Sequence, residues 1–301
     1  MFNEGGWLMQ KNSTNRVDKP HNLHYLAKPY QIWLYLLALL PMLIMFLLIF
    51  VDSEGISLDG MRFVGFNNFS NLAQKSILIA FWNSVKFSVL ATLVVLIFGY
   101  LVAYSLYKSK FKHKNMILLL LILPMWSNIL IRILALRNIM QPNNIITSFI
   151  EYIFHLTSNS ISFNNLLGTD FAVLIGLCIT YLPYVILPIY TALEKIDLSL
   201  IEASEDLGMT DFKTFWKVIF PLTNKGMISG SIMVLLPCLS GFAIPNILGD
   251  GNILLIGNII EQYFTNVNYN MGALLATIIL VIILSSIFVV NKFDKEGETL
   301  I

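Results

Sequence analysis

Glu202, Glu205 and Asp206 stand with Phe212, Phe215 and Trp216 in one polar stretch, Ile196 to Leu222, between two long apolar runs. Acids and large aromatics in that mixture suit recognition, not bond-making. An acidic face fits a basic protein groove and is poorly suited to an anionic lipid leaflet. The alternative is an amphipathic surface helix lying on lipid. The stretch reads as two short helices. Ser199 followed by Glu202 forms a capping box, each side chain serving a free amide at a helix start. Leu200, Ala203, Ser204 and Leu207 then fall at i, i+3, i+4 and i+7, one small and apolar face. Gly208 sits where that helix should stop, in a position that favours a left-handed residue. Thr210 or Asp211 caps a second helix, in which Phe212, Phe215, Trp216 and Ile219 repeat the spacing, and Pro221 begins the next segment.

Other chemistry is hard to find. The sequence has no G-x-x-x-x-G-K-[ST] to cradle a nucleotide phosphate, no G-x-S-x-G and no H-E-x-x-H. Cys178 and Cys238 both lie in apolar runs and read as small buried hydrophobes. His21, His24, His113 and His155 have no metal-ligand spacing. The expectation is a protein without catalysis of its own. A net charge of +1 gives no ground for a nucleic-acid partner.

The elements that must position the polar stretch are membrane spans. Of 301 residues, 56% are hydrophobic and 12% charged, against about 25% charged in soluble domains. Apolar runs cover Tyr30–Val51, Trp82–Tyr107, Met116–Leu136, Asp170–Leu193, Gly226–Leu248 and Met271–Val290. Each can cross about 30 Å of hydrocarbon. Pro124 should bend the third run, and Pro183 and Pro188 should break the fourth. Leu23–Tyr30 reads as a short interfacial segment, Phe63–Phe69 as a turn against the outer surface, and Ile145–Leu156 as an outer helix. Lys11, Arg16, Lys19 and Lys28, the Lys108–Lys114 cluster, Lys195, Lys213, Lys217 and Lys225, and Lys292 and Lys295 fall on one side. Only Arg62, Lys75, Lys86, Arg132 and Arg137 fall in the other half. By the positive-inside rule the first side is cytoplasmic. The expected fold is an all-α membrane protein of about six spans with both termini inside. Residues 1–29 form a tail, 30–291 the membrane domain with its cytoplasmic helices at 197–220, and 292–301 a second tail.

Glu202, Ala203, Ser204, Gly208, Val218, Phe220 and Pro221 also match, with spacing kept, the pattern E-A-A-x3-G-x9-I-x-L-P. This resembles the coupling motif of inner-membrane permease subunits of ABC importers. The resemblance implies a type I permease fold whose paired coupling helices dock on a separate ATPase. Ser204, Val218 and Phe220 depart from the commonest residues but keep size or apolarity. Val64–Phe69, Trp126–Arg132, Leu187–Lys195 and Ile247–Ile260 look like the spermidine/putrescine branch, which often carries an acid where this chain has Asn246. The family's partners would be an ATPase dimer, a second permease subunit in a heterodimer, and an extracytoplasmic polyamine-binding protein or lipoprotein. ATP and magnesium would sit in the ATPase, and this chain would hold no cofactor.

Polyamines are flexible polycations, so carboxylates and aromatic faces would receive them. Candidates toward the outer half are Asp250, Glu261, Tyr263, Trp82, Trp126, Tyr181 and Tyr184, together with Asn246. For the acids the alternative is a solvated loop, and for the aromatics an interfacial belt. Arg132 would repel a polycation. It reads as the partner of a carboxylate, as a gate, or as a snorkelling end-of-span cation. The rival functions are a permease for another cationic solute, an ion-driven secondary transporter, and a non-transporting membrane scaffold. The second usually places carboxylates inside its spans, and here the runs lack Asp and Glu away from their ends.

Overall fold

The computed structural model describes residues 23–52, 62–141, 144, 148 and 166–293. The expected helix at Ile145–Leu156 and most of both tails lie outside them. The chain divides into two compact units after Met45. The first holds most of helix α1 (Leu23–Leu48), which includes the expected interfacial segment without a break. Its portion Lys28–Leu48 is long and apolar enough to cross a membrane.

The second unit opens on a two-residue ladder, β1 (Val51–Asp52) against β2 (Arg62–Phe63). Gly65 turns the chain at φ +61°. A 3-10 turn, Asn67–Ala73, follows, and Asn68 Nδ2 donates to Ile49 O at 2.7 Å. Phe63 and Phe66 are exposed.

Helix α2 (Lys75–Lys108) is a single long span. Its buried stripe repeats every three or four residues and uses small side chains: Ala80, Ser84, Ser88, Ala91, Gly99 and Ala103. Small residues let helix backbones approach where lipid supplies no hydrophobic drive. A Cβ on Gly99 would stand 2.8 Å from Val185 Cγ1.

The third span is broken more sharply than a proline bend. Helix α3 (Lys114–Ile122) passes into a 3-10 turn at Leu123–Trp126, and α4 (Ile129–Met140) restarts at 96° to it. Pro124 opens the turn, but the new direction is fixed at Asn128, whose Oδ1 accepts from Leu130 N at 2.8 Å.

The fourth span departs from expectation in the other sense. Helix α5 (Asp170–Glu194) runs unbroken through Pro183 and Pro188. The reason is its seam with α9 (Asn224–Ser240). Cβ atoms on Gly226 and Gly230 would meet Pro188 O at 2.6 Å and Val185 Cα at 3.3 Å. A neighbour this close holds the proline-bearing stretch in place. Helices α2, α5 and α9 pack most extensively on one another and carry the core.

The cytoplasmic stretch folds as α6 (Leu198–Asp206), α7 (Asp211–Thr214), a π-helical turn at Phe215–Ile219, and α8 (Phe220–Leu222). Pro221 therefore lies within a helical turn, and the next long helix starts at Asn224. The fifth span stops at Ser240, turns at Gly241 and resumes as α10 (Ala243–Leu248). The last outer connection holds an unexpected helix, α11 (Ile256–Thr265), before the final span α12 (Tyr269–Phe293). Four helices have the length and apolarity of spans, and six crossings result if each bent pair counts as one.

The Gly241 break sits inside packed protein, so its freed backbone groups need partners. Asn258, buried, supplies two bonds: its Nδ2 donates to Phe242 O at 2.9 Å and its Oδ1 accepts from Leu255 N at 3.1 Å. Buried Ser84 accepts from Ile256 N at 2.7 Å, tying the start of α11 to α2.

Candidate functional site

Two elements form the cytoplasmic elbow, and their hydrogen bonds fix its shape. Asp197 starts α6, its carboxylate accepting from Ser199 N at 3.0 Å. The expected Ser199–Glu202 capping box is therefore replaced by a cap two residues earlier. Aspartate is at least as good a cap as serine, and it leaves Glu202 free. The Ser199 N–H holds the Asp197 carboxyl below the usual carboxylate range. Gly208 ends α6 at φ +76° with open space around it, and Gly208 N donates to Glu205 O at 2.8 Å.

The face expected from Leu200, Ala203, Ser204 and Leu207 divides. Ser204 is buried, and its hydroxyl lies 2.9 Å from Thr214 Oγ1, joining α6 to α7. Leu200, Ala203 and Leu207 remain exposed beside Glu202, Glu205 and Gly208. Leu207 is 78% exposed and Phe212 73%. The result is a surface with an apolar ridge and an acidic flank. Trp216 is half exposed against Phe220, with ring centroids 4.9 Å apart.

Phe215 was expected on the docking face. It turns into the protein instead, its ring 4.9 Å from Tyr104 and 5.7 Å from Tyr100 on α2. The π-helical turn, with one extra residue in its loop, carries Phe215 through this direction. Tyr100 also bonds buried Thr223 at 3.0 Å between hydroxyl oxygens. Lys108 pairs with Asp211 at 2.9 Å, and Lys114 with Glu194 at 3.8 Å. These pairs line a cleft of about 710 Å³ between the basic loop and the elbow. The elbow is thus fastened to α2 by an aromatic contact, a hydroxyl pair and an ion pair.

The residues named toward the outer half fall in separate places. Tyr181 and Tyr184 on α5 form an edge-to-face ring pair at 5.8 Å. Tyr181 is buried, with its hydroxyl beside Gly241. Tyr184 also lines a second cleft, of about 630 Å³, that runs between α5 and α9 to Lys195 and Asp197. Arg132 on α4 is partly buried, and its Nε has no partner among the described residues. Arg137, which sequence reasoning passed over, is the arginine that meets an acid: its guanidinium stands 3.5 Å from Asp250 Oδ1. Asn246 is exposed on α10. Tyr263 reaches Gln74 Oε1 at 3.5 Å, and Glu261 is partly buried on α11. Trp82 and Trp126 are 69% and 87% exposed, as members of an aromatic belt would be. Among the described residues no group of three or more His, Cys, Asp or Glu could hold a metal.

The family described as binding-protein-dependent transport system inner membrane component matches residues 96–296. The spermidine/putrescine transport system permease protein PotB of Haemophilus influenzae is 33% identical over 87% of this chain and 91% of its own length. PotB of Escherichia coli is 33% identical over 78% of this chain and 84% of its own. Among solved structures, a chain of a bacterial alginate ABC transporter, crystallised with an alginate-bound periplasmic protein, superimposes with a TM-score of 0.75. It covers 91% of this chain and 93% of that one at 15% identity. At that identity the likeness concerns the fold, which is that of an ABC transporter permease.

Proposed function

This chain belongs to the family of inner-membrane components of binding-protein-dependent transport systems, and from that premise we propose that it is the permease subunit of an ATP-driven polyamine importer. It would form part of the path for spermidine and putrescine across the cell membrane. The observation that carries the substrate is the likeness to PotB proteins along nearly their whole length.

The elbow is the part that would meet the ATPase. Glu202, Ala203, Leu207, Gly208, Phe212 and Trp216 would lie in a groove of that partner, with Ser204, Phe215 and Pro221 shaping the elbow from behind. ATP and magnesium would belong to the ATPase dimer. A second permease subunit would complete the path, and an extracytoplasmic binding protein or lipoprotein would deliver the solute. Tyr184, which lines the cleft between α5 and α9, is well placed for cation–π contact with a passing ammonium, and Tyr181 packs behind it.

The test is co-purification from native membranes followed by ATPase assay with spermidine, putrescine and an amino acid control. Stimulation by the polyamines is expected. Stimulation by the control alone would remove the substrate assignment. Glu202→Arg should abolish uptake while membrane insertion persists. Unchanged uptake would favour an ion-driven carrier.

A further inference from the structure

Two ion pairs tie the outer ends of the described spans, and they differ in kind. Lys86 on α2 meets Asp170 at the start of α5 at 2.6 Å, a close clip between unbroken helices. Arg137 meets Asp250 at 3.5 Å through one guanidinium nitrogen. Its Nε is buried and has no partner among the described residues. A well-matched arginine offers two parallel donors to a carboxylate. This one offers a single long contact. Both side chains keep access to solvent, at 37% and 52% exposure.

The surroundings make the carboxylate the fixed member. Asp250 follows α10 in a left-handed conformation, φ 46°, with Gly251 next at φ 79°. Gly249 is wedged against Pro245 O, where a Cβ would fall at 2.4 Å. Gly168 N donates to Leu248 O at 2.8 Å from the far side. The turn is held on two sides, whereas Arg137 hangs on a long flexible stem in the last turn of α4. Helix α4 is the outer half of a broken span and packs on both α5 and α10. The Arg137–Asp250 contact therefore joins the last turn of α4 to the turn that follows α10.

We propose that Arg137 stands in for a substrate ammonium, holding the Asp250 carboxylate until an incoming ammonium group displaces it. The inference rests on the polyamine reading and deepens it. A primary ammonium is compact and brings its own donors to the carboxylate, while a lone guanidinium contact at 3.5 Å is weak and exposed. The displaced arginine turns toward water, and the ammonium takes its place against the carboxylate. Neutral and anionic solutes cannot make the exchange, so the contact also selects for cations.

The experiment uses the assembled importer reconstituted in vesicles, with spermidine uptake measured against concentration. Arg137→Gln removes the competitor and should lower the half-saturating spermidine concentration by about threefold. Asp250→Asn removes the receptor and should raise it by about fivefold. Arg137→Lys keeps a cation and should stay near wild type. Co-purification of the partner subunits is the control for assembly. Shifts of the same sign in Arg137→Gln and Asp250→Asn, as a structural clip would give, overturn the proposal, and so does the absence of any shift. If the wild-type complex takes up no polyamine, the substrate reading itself has failed and the exchange falls with it. Same-sign shifts in a wild type that does transport condemn the exchange alone.

Discussion

Ser204 Oγ lies 2.9 Å from Thr214 Oγ1, both buried, and the same Ser204 hydroxyl also donates to Ile201 O at 2.7 Å. Ser204 thus spends its proton on its own helix and accepts the proton of Thr214. The two members of the pair are unequal.

That inequality predicts the mutants. Ser204→Ala orphans the Thr214 donor and should cost about 1–3 kcal/mol at the elbow. Thr214→Val leaves Ser204 with its Ile201 bond and should cost less. The double variant Ser204→Ala with Thr214→Val should recover part of the loss. Thermal unfolding of the detergent-solubilised complex measures all three. Equal losses would show that the hydroxyls act independently.

Gly208 has open space where a Cβ would go, so only its φ of +76° resists substitution. Gly208→Ala should cost about 1–2 kcal/mol, the usual penalty of a left-handed alanine. Gly208→Asn, whose side chain tolerates that region, should retain more uptake. An alanine variant as active as wild type would mean the turn is not held in the assembly.

Asn258→Ala should be the most damaging of the polar substitutions. It leaves Leu255 N without its acceptor and Phe242 O with the Asn246 N–H alone inside packed protein, at about 1–3 kcal/mol for the orphaned amide. Loss of folded complex is expected on size-exclusion chromatography. Normal yield would indicate that water replaces the amide.

Asp197 gives a pH prediction. Its carboxyl is held low by the Ser199 N–H, so the cap's contribution is complete above the ordinary aspartate value. It is lost only as pH falls through the lowered folded value. Coupled ATPase activity should show no change from this group between pH 6 and 8. Asp197→Asn, also a good cap, should couple normally, and Asp197→Ala should weaken coupling. A titration near neutrality that vanishes in Asp197→Asn would contradict this.

The spans and the stop at Gly208 are legible in sequence, because apolar length and a glycine after a periodic run each have one strong physical reading. The order of the elbow is legible too. Its cap is less so, since Asp197, Ser199 and Glu202 all carry capping chemistry and only backbone geometry selects the first. The inward turn of Phe215 depends on a π-helical residue that a 3.6-residue period does not reveal. Pro183 and Pro188 announce a break, yet their helix survives because Gly226 and Gly230 lie across from it. Arg132 draws the eye as a cation within a span. Arg137 finds the acid, and their meeting spans 113 positions of sequence, which no local pattern encodes.

The seams of α5 with α2 and α9 are closed to a single methyl group at Gly99 and Gly226. Helices meshed so tightly cannot slip by a turn, a distance of about 5.4 Å, without unlocking every tooth. The three therefore behave as one stator. Helix α10 is keyed into the same block, since a Cβ on Gly176 of α5 would fall 2.3 Å from Leu248 Cδ1.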